Sequence, residues 1–226
     1  EIHAIMGRNG SGKTTTANVI MGHPAYDIEE GEILLDGENL QEMEPWERSR
    51  KGVFLSFQYP QSIPGLQVGN FLRKSVSSVR GEEAARGSEF REKLNQAMEE
   101  LDIPKSFLSR YVNDGFSGGE KKRFEILQLM LLEPRLAVLD ETDSGLDIDG
   151  IRTVAKGINS VVKETENGAL IITHYSRILE HVNPDRVHVM IGGRIVASGG
   201  PSLAILLEEN GYDWLEEQVA NGVDFE

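Results

Sequence analysis

Four short stretches carry side chains suited to chemistry on a phosphorylated substrate. Gly7-Arg8-Asn9-Gly10-Ser11-Gly12-Lys13-Thr14 fits G-x-x-x-x-G-K-[ST], the phosphate-binding loop. A tight glycine-rich loop turns its backbone N–H groups inward and makes a nest for anionic oxygens. Lys13 can reach the β- and γ-phosphates, and the Thr14 hydroxyl is placed to bind Mg2+. Asp140 and Glu141 follow the apolar run Leu136-Ala137-Val138-Leu139. That pattern is a buried strand emerging at the edge of a sheet where α/β folds bind ligands. Asp140 suits a metal shell, and Glu141 suits orienting or deprotonating water. Ser117-Gly118-Gly119 opens a long apolar segment. A serine N-cap with two glycines behind it lets a phosphate approach a helix N-terminus. Read alone, this is an ordinary helix start; its company gives it meaning. His174 ends the run Ala169-Leu170-Ile171-Ile172-Thr173. Such a histidine is commonly structural, but this one closes a strand expected beside the acidic strand, which favours a role at the site.

These residues need elements to hold them. His3-Ala4-Ile5-Met6 reads as a buried strand before the loop, and Thr15 to Met21 as a helix closed by Gly22. Gly31 to Leu35 is expected as a short strand ending in an Asp36-Gly37 turn. Pro45 to Arg50 reads as one or two helical turns, and Val53-Phe54-Leu55-Ser56-Phe57 as a strand stopped near Pro60. Residues 61–113 change character. Val68 to Val79 is expected to be helical, Arg80 to Ser88 exposed, and Glu89 to Leu101 a helix with Phe90, Leu94, Ala97, Met98 and Leu101 on one face. Helices follow over Gly118–Leu132, Ile148–Thr165 and Pro201–Glu209, with an acidic tail from Asn210. Val187 to Ile191 and Arg194 to Ala197 flank Gly192-Gly193 as a hairpin. Alternating strands and helices imply an α/β fold with a mainly parallel core sheet.

Composition narrows the classes. The chain has 226 residues, enough for one domain with a large core. Its formal net charge is −14, which argues against a nucleic-acid or anionic-membrane surface as main partner. It has no cysteine, hence no disulfide and no thiolate-held iron–sulfur cluster of its own. No apolar run is long enough to span a bilayer. The first residue stands immediately before the first strand, so the expectation is that one or more upstream strands are missing.

The order of Gly7–Thr14, Phe116-Ser117-Gly118-Gly119-Glu120 and Asp140-Glu141 resembles the ATP-binding cassette (ABC) family, whose signature is close to LSGGQ. The resemblance covers essentially the whole chain. It implies an ABC-type nucleotide-binding domain over residues 1–226: an α/β core with an antiparallel β subdomain over about 1–60 and 114–226, and an inserted helical subdomain over about 61–113. Gln58 matches the Q-loop glutamine, Ser144-Gly145-Leu146-Asp147 the D-loop, and His174 the H-switch. The implied cofactors are ATP and Mg2+. Glu141, His174, Lys13 and Gln58 would act in catalysis. Gly7, Arg8, Asn9, Gly10, Ser11, Gly12, Lys13, Thr14 and Thr15 would hold nucleotide, joined by Ser117, Gly118, Gly119 and Asp147. Thr14, Gln58 and Asp140 would surround the metal. The family's adenine-stacking aromatic normally precedes the loop and is not in this sequence.

Within the family, Gln58-Tyr59-Pro60-Gln61, Asp140-Glu141-Thr142-Asp143-Ser144, Glu120-Lys121-Lys122-Arg123, Gly22-His23-Pro24 and Gly211-Tyr212-Asp213-Trp214 are similar to the SufC branch, the ATPases of SUF iron–sulfur cluster assembly. Arg8 departs from the proline usual there, and Thr14-Thr15 from Ser-Thr. That resemblance implies SufB-like and SufD-like scaffold partners docking on the helical subdomain near the Q-loop, a transient ATP-dependent head-to-tail homodimer, and a cytoplasmic or plastid-stromal setting. It implies neither nucleic-acid binding nor direct membrane insertion. The alternative is the nucleotide-binding subunit of a membrane transporter, which uses the same chemistry. A DNA-directed ATPase of this family would carry a long coiled-coil insertion, which this sequence lacks. A scaffold that binds ATP without turnover would not need Glu141 and His174.

Overall fold

The computed structural model describes residues 1–162, 167–223 and 225. In chain order the elements are β1 (Ile2–Met6), α1 (Lys13–Met21), β2 (Leu34–Leu35), β3 (Glu38–Asn39), α2 (Pro45–Lys51), β4 (Val53–Ser56), β5 (Ile63–Gln67), α3 (Val68–Arg80), α4 (Gly87–Glu100) and β6 (Tyr111–Val112). They continue with α5 (Gly118–Leu132), β7 (Leu136–Asp140), α6 (Ile148–Val162), β8 (Gly168–Ile172), α7 (Arg177–Val182), β9 (Arg186–Ile191), β10 (Arg194–Gly199) and α8 (Ser202–Ala220). Among the described residues, six strands form one sheet in the order β10-β9-β1-β8-β7-β4. All neighbours in it are parallel except β10, which runs antiparallel to β9.

The near-continuous apolar runs follow from this placement, since a parallel sheet covered on both faces buries both sets of alternating side chains. Ala137, Leu139, Ala169 and Ile171 join the larger core with α5, α6 and α7. Ile5, Val138, Ile172 and Met190 face the other way, onto Ala17 of α1. The same register puts the ends of β1, β7 and β8 side by side, with Asp140 opposite Ile172 and Ile5 also opposite Ile172. The loop after β1, the acids ending β7 and the histidine after β8 therefore meet at one sheet edge.

Helix α5 begins and ends where its sequence directs. Ser117 Oγ accepts from the Glu120 amide at 3.2 Å, and Glu120 Oε2 accepts from the Ser117 amide at 2.8 Å, a reciprocal capping box. Glu133 closes the helix with φ 47°, just before Pro134. Helix α6 presents Ile151, Val154, Ile158 and Val161 to the core. Arg48 of α2, 3% exposed, donates to the Val19 and Ile20 carbonyls at 2.8 and 2.9 Å and so caps the C-terminal end of α1.

Several local expectations are corrected. The strand expected from Gly31 is paired only at Leu34–Leu35, in a small hairpin with β3. Segment 80–88, expected to be exposed, contains a short 3-10 turn at Glu83–Ala85 that buries Ala85, and α4 already starts at Gly87. Helix α6 runs to Val162; residues 163–165, expected to extend it, lie outside the described residues. The helix expected to stop at Glu209 continues as α8 to Ala220 across a break at Gly211, and the acidic tail is thereby anchored by fully buried Leu215. The small strands β5 and β6 and helix α7 were not anticipated; each is too short to show a period in sequence.

Candidate functional site

The phosphate loop is shaped by its glycines and by contact with β9 and the turn after it. Gly12 has φ 108°, a backbone region that side chains rarely adopt. Gly7 sits where an added Cβ would lie 2.4 Å from the Met190 carbonyl oxygen. The Ser11 carbonyl accepts from the Gly193 amide at 2.8 Å, so the β9–β10 turn braces the loop. Lys13 Nζ donates to the carbonyls of Gly7 at 2.7 Å and Arg8 at 3.0 Å. Burial pulls the Lys13 amine below its ordinary range, opposed by the Glu141 and Asp140 carboxylates.

Asp140, 2% exposed, ends β7 with Oδ1 shielded from water and without a hydrogen-bond partner. Burial raises its pKa, the Thr14 hydroxyl beside it lowers it, and Glu141 raises it. A buried carboxylate oxygen with no protein donor, next to a threonine hydroxyl, is the donor set a hard oxygen-seeking cation takes. Thr14 and Asp140 therefore fit Mg2+.

Glu141 adopts φ 51°, an uncommon backbone region for a non-glycine residue that persists only where surroundings hold it. Its amide donates to the Ile172 carbonyl at 2.9 Å. This turn aims the carboxylate into the cleft, where both oxygens are engaged. Gln58 Nε2 donates to Oε2 at 2.6 Å, and His174 Nε2 lies 2.8 Å from Oε1 in an ion-pair contact. Three residues separated by up to 116 positions in sequence thus meet in one row centred on Glu141. They line a cleft of about 510 Å3 together with Asn9, Gly10, Gly12, Lys13, Thr14 and Thr15. Ser144, Tyr59 and Tyr175 complete its rim.

Two buried pairs fix the ends of this row. Thr173 Oγ1 donates to the Asp143 carboxylate, at 3.0 and 3.2 Å from its oxygens, and accepts from the Tyr175 amide at 3.1 Å. Both residues are almost wholly buried. Burial pushes the Asp143 carboxyl up, against the Thr173 hydrogen bond. The link joins the segment after Glu141 to the residue before His174. On the other side, Lys122 and Glu125 of α5 form an ion pair at 3.1 Å, and Lys122 Nζ donates to the Phe57 carbonyl at 3.3 Å, next to Gln58. Asp143 was visible in sequence only as a departure from the family pattern, and Lys122 only as a charge after the signature. Their partners are far away in sequence, so no spacing marks them.

The remaining anticipated residues do not come to the cleft. Ser117, Gly118 and Gly119 lie outside it at the start of α5. Asp147 Oδ1 accepts from the Gly150 amide at 2.8 Å and so serves the start of α6. The other histidines make contacts of their own: His3 Nδ1 and His188 Nε2 are 2.9 Å apart across β1 and β9.

A mixed, mainly parallel sheet with a phosphate loop after its central strand, and an acid pair and histidine on neighbouring strands, defines a P-loop ATPase of the cassette type. Residues 1–144 match the family described as ABC transporter. The probable ATP-dependent transporter slr0075 of Synechocystis sp. is 51% identical, over 97% of this chain and 86% of its own length. Vegetative protein 296 of Bacillus subtilis is 50% identical over 97% of this chain and 84% of its own. Among solved structures, the ADP conformation of MJ1267, an ATP-binding cassette of an ABC transporter, superposes with a TM-score of 0.73 at 25% identity, covering 99% of this chain and 88% of that one. The chain belongs to the ABC family as its ATPase domain, a domain that binds ATP with Mg2+ and hydrolyses the nucleotide.

Proposed function

We propose that the chain hydrolyses ATP at a site completed by a second copy, and that the resulting motion drives a SufBCD-like iron–sulfur cluster assembly complex. Lys13 and the amides of Gly10 to Thr15 bind the phosphates. Mg2+, held by Thr14 and Asp140 with Gln58 nearby, would supply charge neutralisation at the phosphates. Glu141 takes the proton from the attacking water, and His174 donates to the γ-phosphate. In the present arrangement Glu141 is doubly engaged. Each oxygen keeps a free lone pair, so the carboxylate can take a proton from water with both contacts in place. Such a site works by positioning and electrostatics.

Ser117 to Gly119, remote from their own cleft, are the surface offered to the other copy's ATP, with Asp147 nearby in the same junction. Two copies set head to tail would bury both nucleotides. The cassette MJ0796 has been solved as a dimer, and the same arrangement is proposed for this chain.

The single observation that carries the reading is the Gln58–Glu141 hydrogen bond. It joins the proposed base to Gln58, whose chain neighbours Phe57 and Tyr59 line an apolar groove of about 320 Å3 with Ile63, Phe71, Val112 and Phe124. Tyr59 is 76% exposed there and Phe57 53%. A partner seated in that groove would move Gln58 and so adjust Glu141. The partner is assigned as SufB-like and SufD-like from the Q-loop, Asp143 and Glu120 features of the sequence. The net charge of −14 disfavours nucleic acid, and among the described residues no helix is long and apolar enough to cross a membrane. A cytoplasmic or plastid-stromal setting fits this reading. The second reading, a transporter subunit docked on a permease through the same groove, is favoured by the names of the relatives. Affinity capture of the tagged chain from its own cells separates them. Recovery of cluster-scaffold subunits is expected; recovery of a polytopic membrane subunit instead would overturn the assembly reading.

A further inference from the structure

The loop residue that departs from its expected type, Arg8, is not free. Its guanidinium is paired with Asp213 of α8, NH2 to Oδ1 at 2.6 Å, and stands 5.6 Å from the centre of the Tyr212 ring. Tyr212 lies against the same loop: its hydroxyl oxygen is shielded from water, has no well-formed hydrogen bond, and approaches the Gly7 backbone. Both residues follow Gly211, whose φ 82° and ψ 173° break α8 into two arms. The second arm is pinned by fully buried Leu215 and by Trp214, whose ring meets Phe225 edge-on at 5.9 Å. Just past the break, Tyr212 and Asp213 reach the phosphate loop.

The loop contact reaches the phosphate-binding groups directly. The Gly7 and Arg8 carbonyls are the two acceptors of Lys13 Nζ, and the Arg8 carbonyl also accepts from the Ser11 amide at 3.1 Å. Holding Arg8 from outside therefore fixes the two carbonyls that station the lysine and the turn that aims the loop amides. We propose that the arm after Gly211 is a strap on the phosphate loop, with Tyr212 and Asp213 as positioning residues that keep the loop in its nucleotide-receiving shape through Gly7 and Arg8. The strap acts on phosphate binding by one chain and needs neither a second copy nor a partner.

The alternative role for Asp213 has the opposite sign. If it only neutralised Arg8, removing it would free a positive charge beside the phosphates and tighten binding. The test is the dissociation constant of Mg-ADP for the isolated chain, by titration calorimetry, for Asp213→Ala, Asp213→Glu and Tyr212→Ala. Because the Arg8–Asp213 pair is exposed, the strap predicts about two- to fivefold weaker binding in Asp213→Ala, a value close to the parent in Asp213→Glu, and the largest loss in Tyr212→Ala. High salt should shrink the Asp213→Ala effect and spare most of the Tyr212→Ala effect, because only the former removes an exposed charge. Melting of the nucleotide-free variants is followed alongside, and Asp213→Ala should keep its transition. Unchanged or tighter ADP binding in Asp213→Ala with a normal melt would overturn the strap, as would equal losses in Asp213→Ala and Asp213→Glu. These outcomes are independent of which complex the chain serves.

Discussion

At the scale of residues, Glu141 is held at both carboxylate oxygens, by Gln58 at 2.6 Å and His174 at 2.8 Å. Replacing it with glutamine keeps the shape and removes the proposed base. Steady-state turnover should fall at least about 100-fold, the usual worth of a general base, while ATP still binds; surviving turnover would reassign the base. Thr173, which bonds Asp143 and directly precedes His174, is expected to act by positioning that histidine. Thr173→Val removes the hydroxyl and one hydrogen bond from the buried Asp143 carboxyl, at a cost of about 1–3 kcal/mol in stability. With the position of His174 loosened, kcat should fall more than KM rises, and a rise in KM alone would assign Thr173 to binding instead. The sequence displayed the loop, the acid pair and His174 because each is a local pattern on one strand end. It did not display the Asp143–Thr173 and Lys122–Phe57 links, since a tertiary hydrogen bond leaves no periodicity.

At the scale of elements, α5 and α6 form the packed support beneath the row. Gly157 of α6 lies against α5, where an added Cβ would stand 2.4 Å from Ile126 Cγ2 and 3.2 Å from a Leu101 methyl. Alanine is the better helix former by about 1 kcal/mol, yet overpacking costs about 1–3 kcal/mol. Gly157→Ala should therefore lower stability to urea, and Ile126→Leu, which moves the offending methyl, should restore part of it; a more stable Gly157→Ala would show that the helices separate freely. Long, periodic elements such as α5 were legible to the residue because cap, apolar run and Pro134 agree. The break in α8 was not. Gly211 reads as a helix stop, and only the burial of Leu215 shows why the chain resumes.

At the scale of the molecule, charge and burial act together. Burial raises the carboxyl pKa of Asp143, against Thr173 and Arg177 and with Glu141, and raises that of Glu125, against Lys122 and Ser56. A carboxyl with a raised native pKa binds its proton more tightly folded than unfolded. Its contribution is complete below the unfolded value of about 4 and is lost as pH climbs through the native value. The net charge of −14 adds self-repulsion in the same direction. The Asp143 contribution to the urea midpoint of the nucleotide-free chain should therefore be lost as pH climbs above about 4, and Asp143→Asn, compared with the parent, should remove that loss; the comparison cancels His188, whose lowered pKa acts in the opposite sense. An Asp143→Asn chain with the same pH slope as the parent would mean that the Asp143 carboxyl binds its proton no more tightly folded than unfolded.

The most direct test of the account is ATP turnover per chain, measured against protein concentration without partners. A cleft that lacks Ser117 to Gly119 of its own needs a second copy, so turnover per chain should be low and climb with concentration until dimers saturate. Constant turnover per chain, in a sample shown to remain monomeric with ATP bound, would contradict it.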